Sequence, residues 1–177
     1  DNTAAITVPG GTGAHPAVSS PPIVAVPATG NKQLYLSTTS ELSRNVPTAS
    51  TYALIYGGQN NAWVLNPQLQ LPLTIDGGSG AIPVTVMLRT NSSSSSYRTR
   101  TLDLTLSSVG ATSQAIGSLG NQYVSVNNQP REFAFSIPVS GDITLDTGSS
   151  LVLTVSNNPS NSRSFRLYTT SGGTASQ

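Results

Sequence analysis

Apolar residues in this chain recur at every second position, and a run of that period is a strand with one buried face. Leu69, Leu71, Leu73 and Ile75 share such a face, and Val84, Val86 and Leu88 share another. Leu102, Leu104 and Leu106 line a third, with Thr101, Asp103 and Thr105 opposite. Phe133, Phe135 and Ile137 make a fourth strand, and Leu151, Leu153 and Val155 a fifth. Shorter candidates lie at 34–37, 52–56, 62–65, 123–126 and 165–168. No helical period competes with them. A strand with one polar face belongs to an antiparallel sheet, because parallel strands are apolar on both faces.

Turn residues separate the runs. Gly57-Gly58, Asp76-Gly77-Gly78, Ser140-Gly141-Asp142 and Asn157-Asn158-Pro159 supply positive φ or local side-chain hydrogen bonds. About ten short strands at this spacing are expected to form an all-β, antiparallel, jelly-roll-like β-sandwich. A chain of 177 residues is long enough to bury a core without metals or disulfides, and it contains no cysteine.

Residues 1–31 break the pattern, so the sandwich is assigned to 32–177 and an extended Pro/Gly-rich arm to 1–31. The arm has two apolar patches, which offer Ile6, Val8, Ile23, Val24 and Val26 as anchors. Its prolines exclude a helix and disfavour central strand positions. An extended segment of this kind gains most by adding to a sheet edge, where main-chain hydrogen bonds supply affinity. If the edge belongs to the next copy, the contact runs head to tail and generates a filament.

Charge narrows the function classes. Only 8% of residues are charged, against about 25% in an average soluble domain, and Lys32 is the only lysine. The net charge of +1 lacks the basic footprint that nucleic-acid binding requires. A near-neutral surface also opposes self-association weakly. No run of about 18 apolar residues is present to insert in a bilayer. The chain begins at Asp1 and its one methionine is Met87, which reads as a processed form or a fragment. Few charges, many hydroxyls and one lysine suit an extracellular or cell-surface setting.

The groups that carry catalysis are scarce. His15 is the only histidine and sits in the arm beside Pro16; a triad would need a rigid scaffold to hold it over a pocket, so an ordinary loop histidine is expected, and with no cysteine the usual zinc sites are out. Asp1, Glu41, Asp76, Asp103, Glu132, Asp142 and Asp146 show no pairing of the kind that glycoside hydrolysis needs. The expectation is a chain that is not an enzyme and needs no cofactor. Asp142 and Asp146, with Asn127, Asn128 or Asp76, offer oxygen ligands for calcium, although turn-forming aspartates account for the same residues.

Binding residues are better represented. Trp63 suits either a sugar-stacking platform or a core plug with its N–H on a carbonyl, and its neighbours Ala62, Val64 and Leu65 favour burial. Tyr35 lies opposite Leu34 and Leu36, and Arg166 and Tyr168 lie opposite Phe165 and Leu167. These three should face outward, as a contact strip for a glycan or a protein or as an ordinary solvated face. Arg89, Arg98 and Arg100 flank a serine run at 92–96, which reads as a mobile loop. Three arginines at one tip suit an anionic group or serve as counterions for scattered acids. Asn91-Ser92-Ser93 matches a glycosylation sequon.

Tyr35-Leu36-Ser37, Val46-Pro47-Thr48, Trp63-Val64-Leu65-Asn66-Pro67, the run from Gly148 to Val155 and Arg166-Leu167-Tyr168 together resemble secreted prokaryotic β-sandwich modules. Such modules are strung along surface proteins, stalks and fibres. The resemblance covers about residues 33–170 and implies a jelly-roll-like sandwich with a structural or adhesive role. The leading functional expectation is a structural subunit of an extracellular filament, fibre or surface layer that binds copies of itself through the arm. The alternative is a carbohydrate-binding or adhesive module of a larger secreted protein. A viral capsid or fibre protein ranks lower, because the arm holds no lysine or arginine.

Overall fold

The alternating runs pair into two sheets whose aliphatic faces meet in one core. A computed structural model describes residues 33–37, 39–47, 51–160, 163–171 and 174–175. The arm and its proposed anchors Ile6, Val8, Ile23, Val24 and Val26 lie outside the described residues.

Fourteen strands occur among the described residues, more than the ten or so expected. In chain order they are β1 (Tyr35–Leu36), β2 (Glu41–Ser43), β3 (Tyr52–Ile55), β4 (Asn60–Leu65), β5 (Leu73–Ile75), β6 (Ala81–Thr90) and β7 (Arg98–Val109). They continue with β8 (Gln114–Val126), β9 (Arg131–Pro138), β10 (Ile143–Leu145), β11 (Ser150–Asn157), β12 (Phe165–Tyr168), β13 (Thr170–Ser171) and β14 (Thr174–Ala175). The surplus comes from pairings of two or three residues, such as β2 and β10, which are too short to show a period.

The larger sheet has the order β1-β2-β4-β11-β7-β8, and the smaller has the order β3-β12-β6-β9. Pairing is antiparallel except for a short parallel contact between β2 and β4. β5 with β10 and β13 with β14 form two small antiparallel pairs. The result is an all-β sandwich, and no helix among the described residues is long and apolar enough to cross a membrane.

Register builds the core. Trp63, Leu153 and Leu106 stand side by side across β4, β11 and β7. Opposite them in the same buried cluster are Val84, Val86 and Leu88 of β6 and Phe165 and Leu167 of β12. At Gly117 the two sheets come close together: a Cβ there would overlap the Pro138 carbonyl at the end of β9.

Two sequence expectations need correction. Leu69, Leu71, Leu73 and Ile75 do not share one strand face. Only Leu73–Ile75 is strand, Leu69 is core, and Leu71 is 51% exposed. Pro67 and Pro72 lack the N–H of a continuous ladder. Leu69 instead exchanges backbone hydrogen bonds with the Gly148-Ser149 turn. The strand expected at 123–126 begins at Gln114, because Gly117 and Gly120 conceal the first half of its alternation.

Candidate functional site

The outer face of the smaller sheet carries an aromatic and guanidinium cluster. Pairing of β12 with β3 puts Tyr168 opposite Tyr52, and pairing with β6 puts Tyr168 beside Met87 and Arg166 beside Arg89. The same row runs on from Met87 to Glu132 of β9. The Tyr52 and Tyr168 rings lie 5.5 Å apart at 46°. The Arg166 guanidinium lies 4.3 Å from the Tyr52 ring centre, a cation–π contact. The Arg166 Nε–H also donates to Asn91 Oδ1 at 2.8 Å. Tyr52 nevertheless stays 43% exposed, so an apolar ring is presented to solvent with its neighbours held in place.

Asn91 joins this face to a cleft of about 710 Å³ in which Arg98, Arg100 and Arg163 meet Tyr56, Ser92 and Ser94. Arg98 and Arg100 come from the start of β7, where alternation aims them away from Thr99. Arg163 comes from the loop before β12. That loop is pinned by Asn157, a buried side chain whose Nδ2 donates to the carbonyls of Ile55 at 2.9 Å and Arg163 at 3.1 Å.

The serine run forms the opposite wall. Side chains of the loop after β8 hydrogen-bond to it. Asn128 Nδ2 donates to the Ser93 carbonyl at 2.9 Å, and Asn127 Nδ2 donates to the Ser95 carbonyl at 3.3 Å. The hydroxyls of Ser92 and Ser94 accept the N–H groups of Ser94 and Ser96 in turn.

The charge balance of the cleft is one-sided, because its described lining includes no carboxylate. Burial lowers the pKa of Arg100 below its ordinary value, and the positive charges of Arg163 and Arg98 lower it further. One Nη of Arg100 donates to the Thr99 carbonyl at 2.8 Å. Its Nε is buried with no hydrogen-bond partner.

The sequence candidates divide between the faces. Arg166 and Tyr168 belong to the outer cluster. Tyr35 lies on β1, in the other sheet, and is half-buried. Trp63 is 1% exposed and donates its indole N–H to the Ser37 carbonyl at 3.1 Å, so it is a core residue and presents no face to a ligand. Arg89 does not join Arg98 and Arg100: its side chain turns to the Thr90 carbonyl at 3.3 Å, and Arg163 completes the trio.

Asp76 and Asp142 share a 3-10 turn at Gly77–Ser79, where each accepts a backbone N–H, at 2.7 and 2.9 Å. Asn127 and Asn128 are engaged with the serine run instead, and the Asp146 carbonyl accepts the Ser149 N–H. Sequence reasoning missed Tyr52 and Arg163 as site residues. Alternation in 52–56 places Tyr52 on a face, but only the β3–β12 pairing shows what it faces. Nothing in the Asn/Ser-rich loop marks Arg163.

No family model matches the chain, and no curated protein matches it. Solved structures do. A CocE/NonD family hydrolase from Staphylococcus aureus superposes with a TM-score of 0.63 at 9% identity, over 81% of this chain and 35% of that one. An alpha-amino acid ester hydrolase gives 0.58 at 14% identity, over 77% of this chain and 33% of that one. An aminopeptidase from the marine sediment archaeon Thaumarchaeota archaeon gives 0.54 at 11% identity, over 76% and 33%. The chain spans about a third of the length of each of these proteins. At such identities the likeness is one of fold alone.

Proposed function

We propose that this chain is a non-catalytic binding module of a secreted or cell-surface protein, and that it takes carbohydrate on the outer face of the smaller sheet. The observation that carries the reading is the Tyr52–Arg166–Tyr168 cluster. A pyranose ring has an apolar C–H face that packs on an exposed aromatic ring, while its hydroxyls need donors and acceptors at the rim. Arg166, Asn91 and Glu132 supply those groups around Tyr52 and Tyr168. The share of each hydrolase that the sandwich matches, about a third, supports a module that works beside other domains.

The test is a glycan array with the 177-residue chain, followed by calorimetry on the best ligand with Tyr52→Ala and Tyr168→Ala. Binding weakened by about tenfold or more in each variant is expected from losing an aromatic contact. No binding to any glycan, or variants that bind as tightly as the parent chain, would sink the proposal.

A second proposal is self-assembly through residues 1–31. The observation that favours it is the position of β1, which among the described residues is an edge strand of the larger sheet and comes first in the chain. Deletion of residues 1–27 should then abolish filaments seen by negative-stain microscopy and leave a folded sandwich. Filaments that persist after the deletion would refute it.

A further inference from the structure

We propose that the cleft of Arg98, Arg100 and Arg163 holds an acidic group, a carboxylate or a sulfate, of a saccharide lying on the adjoining sheet face. This inference rests on the carbohydrate reading of that face and adds the chemical class of the ligand.

Three guanidinium groups in one cleft repel one another, and a bound anion would offset that repulsion. The described lining offers no carboxylate to do so. The arginines are therefore not counterions for acids of their own cleft. Arg100 adds the sharper indication: its Nε–H is buried and has no acceptor, which costs free energy until one arrives. A planar oxyanion suits a guanidinium because two N–H groups meet two oxygens side by side. The Ser92, Ser94 and Tyr56 hydroxyls lining the same space are further donors. The lowered pKa of Arg100 agrees, since the neighbours that lower it are the charges an anion would offset.

Size and position suit a saccharide substituent better than a lone ion. The cleft, about 710 Å³, has the volume of a ligand pocket and exceeds what one ion fills. It is also continuous with the aromatic face through Asn91, which lines the cleft and accepts the Arg166 Nε–H. A sugar stacked at Tyr52 and a charged group in the cleft thus fit one extended ligand.

The experiment is isothermal calorimetry with four probes: an oligogalacturonate, the neutral methyl ester of the same oligosaccharide, a sulfated oligosaccharide and inorganic sulfate. Each is titrated into the full chain, an Arg98→Gln/Arg163→Gln double variant and Tyr52→Ala. Arg98 and Arg163 are exposed, so the double variant should keep its fold, which circular dichroism verifies. An acidic oligosaccharide should bind about tenfold or more tightly than the neutral ester, since a hydrogen-bonded charge pair contributes that much. The advantage should shrink as salt is raised and vanish in the double variant. Tyr52→Ala should weaken acidic and neutral ligands alike.

Equal affinities for acidic and neutral forms overturn the proposal, as does a double variant that keeps the preference. If neutral sugars bind at Tyr52 without any acidic preference, the cleft inference fails and the carbohydrate reading stands. If inorganic sulfate binds in an Arg98- and Arg163-dependent way while every saccharide fails, the saccharide assignment is overturned together with the carbohydrate reading.

Discussion

The carboxylate of Asp103 accepts the backbone N–H of Asn121 at 2.6 Å, across the longest strand pair of the sandwich. The bond sits at a bulge, where pairing jumps from Leu102 with Gln122 to Leu104 with Leu119. Asn121 takes a positive φ of 56° there, a conformation that short polar side chains tolerate best. Asp103 therefore fixes the place where β8 first slips by one residue, and with it which face Leu119 occupies.

Asp103→Ala is expected to lower stability by about 1–2 kcal/mol, the worth of a charge-assisted hydrogen bond to an exposed N–H. Asp103→Asn keeps an acceptor oxygen and should lose less. Denaturant unfolding measures both, and an alanine variant as stable as the parent would show that the bulge holds without its acceptor.

Gly117 and Gly120, three positions apart on β8, should respond differently to the same substitution. A Cβ at Gly117 would overlap the Pro138 carbonyl and crowd the Ile137 side chain, both belonging to the facing sheet. A Cβ at Gly120 meets only the Asp103 carboxylate, at 3.7 Å. Gly117→Ala should destabilise by about 1–3 kcal/mol through overpacking, and Gly120→Ala by less than about 0.5 kcal/mol. Thermal melts of the two variants side by side make the comparison, and equal losses would mean that the sheets separate freely at Gly117.

How far the sequence discloses this molecule depends on whether the deciding contact is local. β6, β7 and β11 are legible because Val84, Val86, Leu88, Leu102, Leu104, Leu106, Leu151, Leu153 and Val155 keep one period and one burial. The run at 69–75 misleads because an alternating pattern carries no information about Pro67 and Pro72, nor about the turn at Gly148-Ser149 that captures Leu69. The outward face of Arg166 and Tyr168 is legible for the same local reason. Their partner Tyr52 is not, because it arrives from more than a hundred residues away along the chain. Arg98 and Arg100 are visible as neighbours of the serine run. Arg163 is invisible, because its place depends on one buried asparagine.

That asparagine, Asn157, links the core to the cleft. Its Nδ2 satisfies the Ile55 and Arg163 carbonyls together, one on β3 and one on the loop before β12. Asn157→Ala leaves both acceptors short of a donor in a site that is 1% exposed. The expected loss is about 2 kcal/mol or more. Binding of any anionic ligand at Arg163 should weaken as well, because the loop that carries it loses its tether. Denaturant unfolding and calorimetry read the two effects, and unchanged values for both would remove Asn157 from the account.

Trp63 and Tyr52 separate what holds the sandwich together from what the sandwich presents. Trp63 fills the core between the sheets and donates its N–H to the Ser37 carbonyl, the residue just after β1. Trp63→Ala should cost about 3–5 kcal/mol, enough to bring a domain of ordinary stability near its limit. Trp63→Phe keeps most of the apolar contact and forfeits the hydrogen bond, for an expected loss of about 1–2 kcal/mol. A folded Trp63→Phe protein should bind ligand as the parent does, because the ring never reaches the surface. Tyr52→Ala should do the opposite, weakening ligand binding while shifting stability by less than about 1 kcal/mol, since the ring is 43% exposed. Melting curves and calorimetric titrations on the same samples give both numbers for each variant. If Trp63→Phe lost binding while still folded, the division between a structural Trp63 and a presented Tyr52 would be wrong, and the ligand face would have to be sought on the larger sheet.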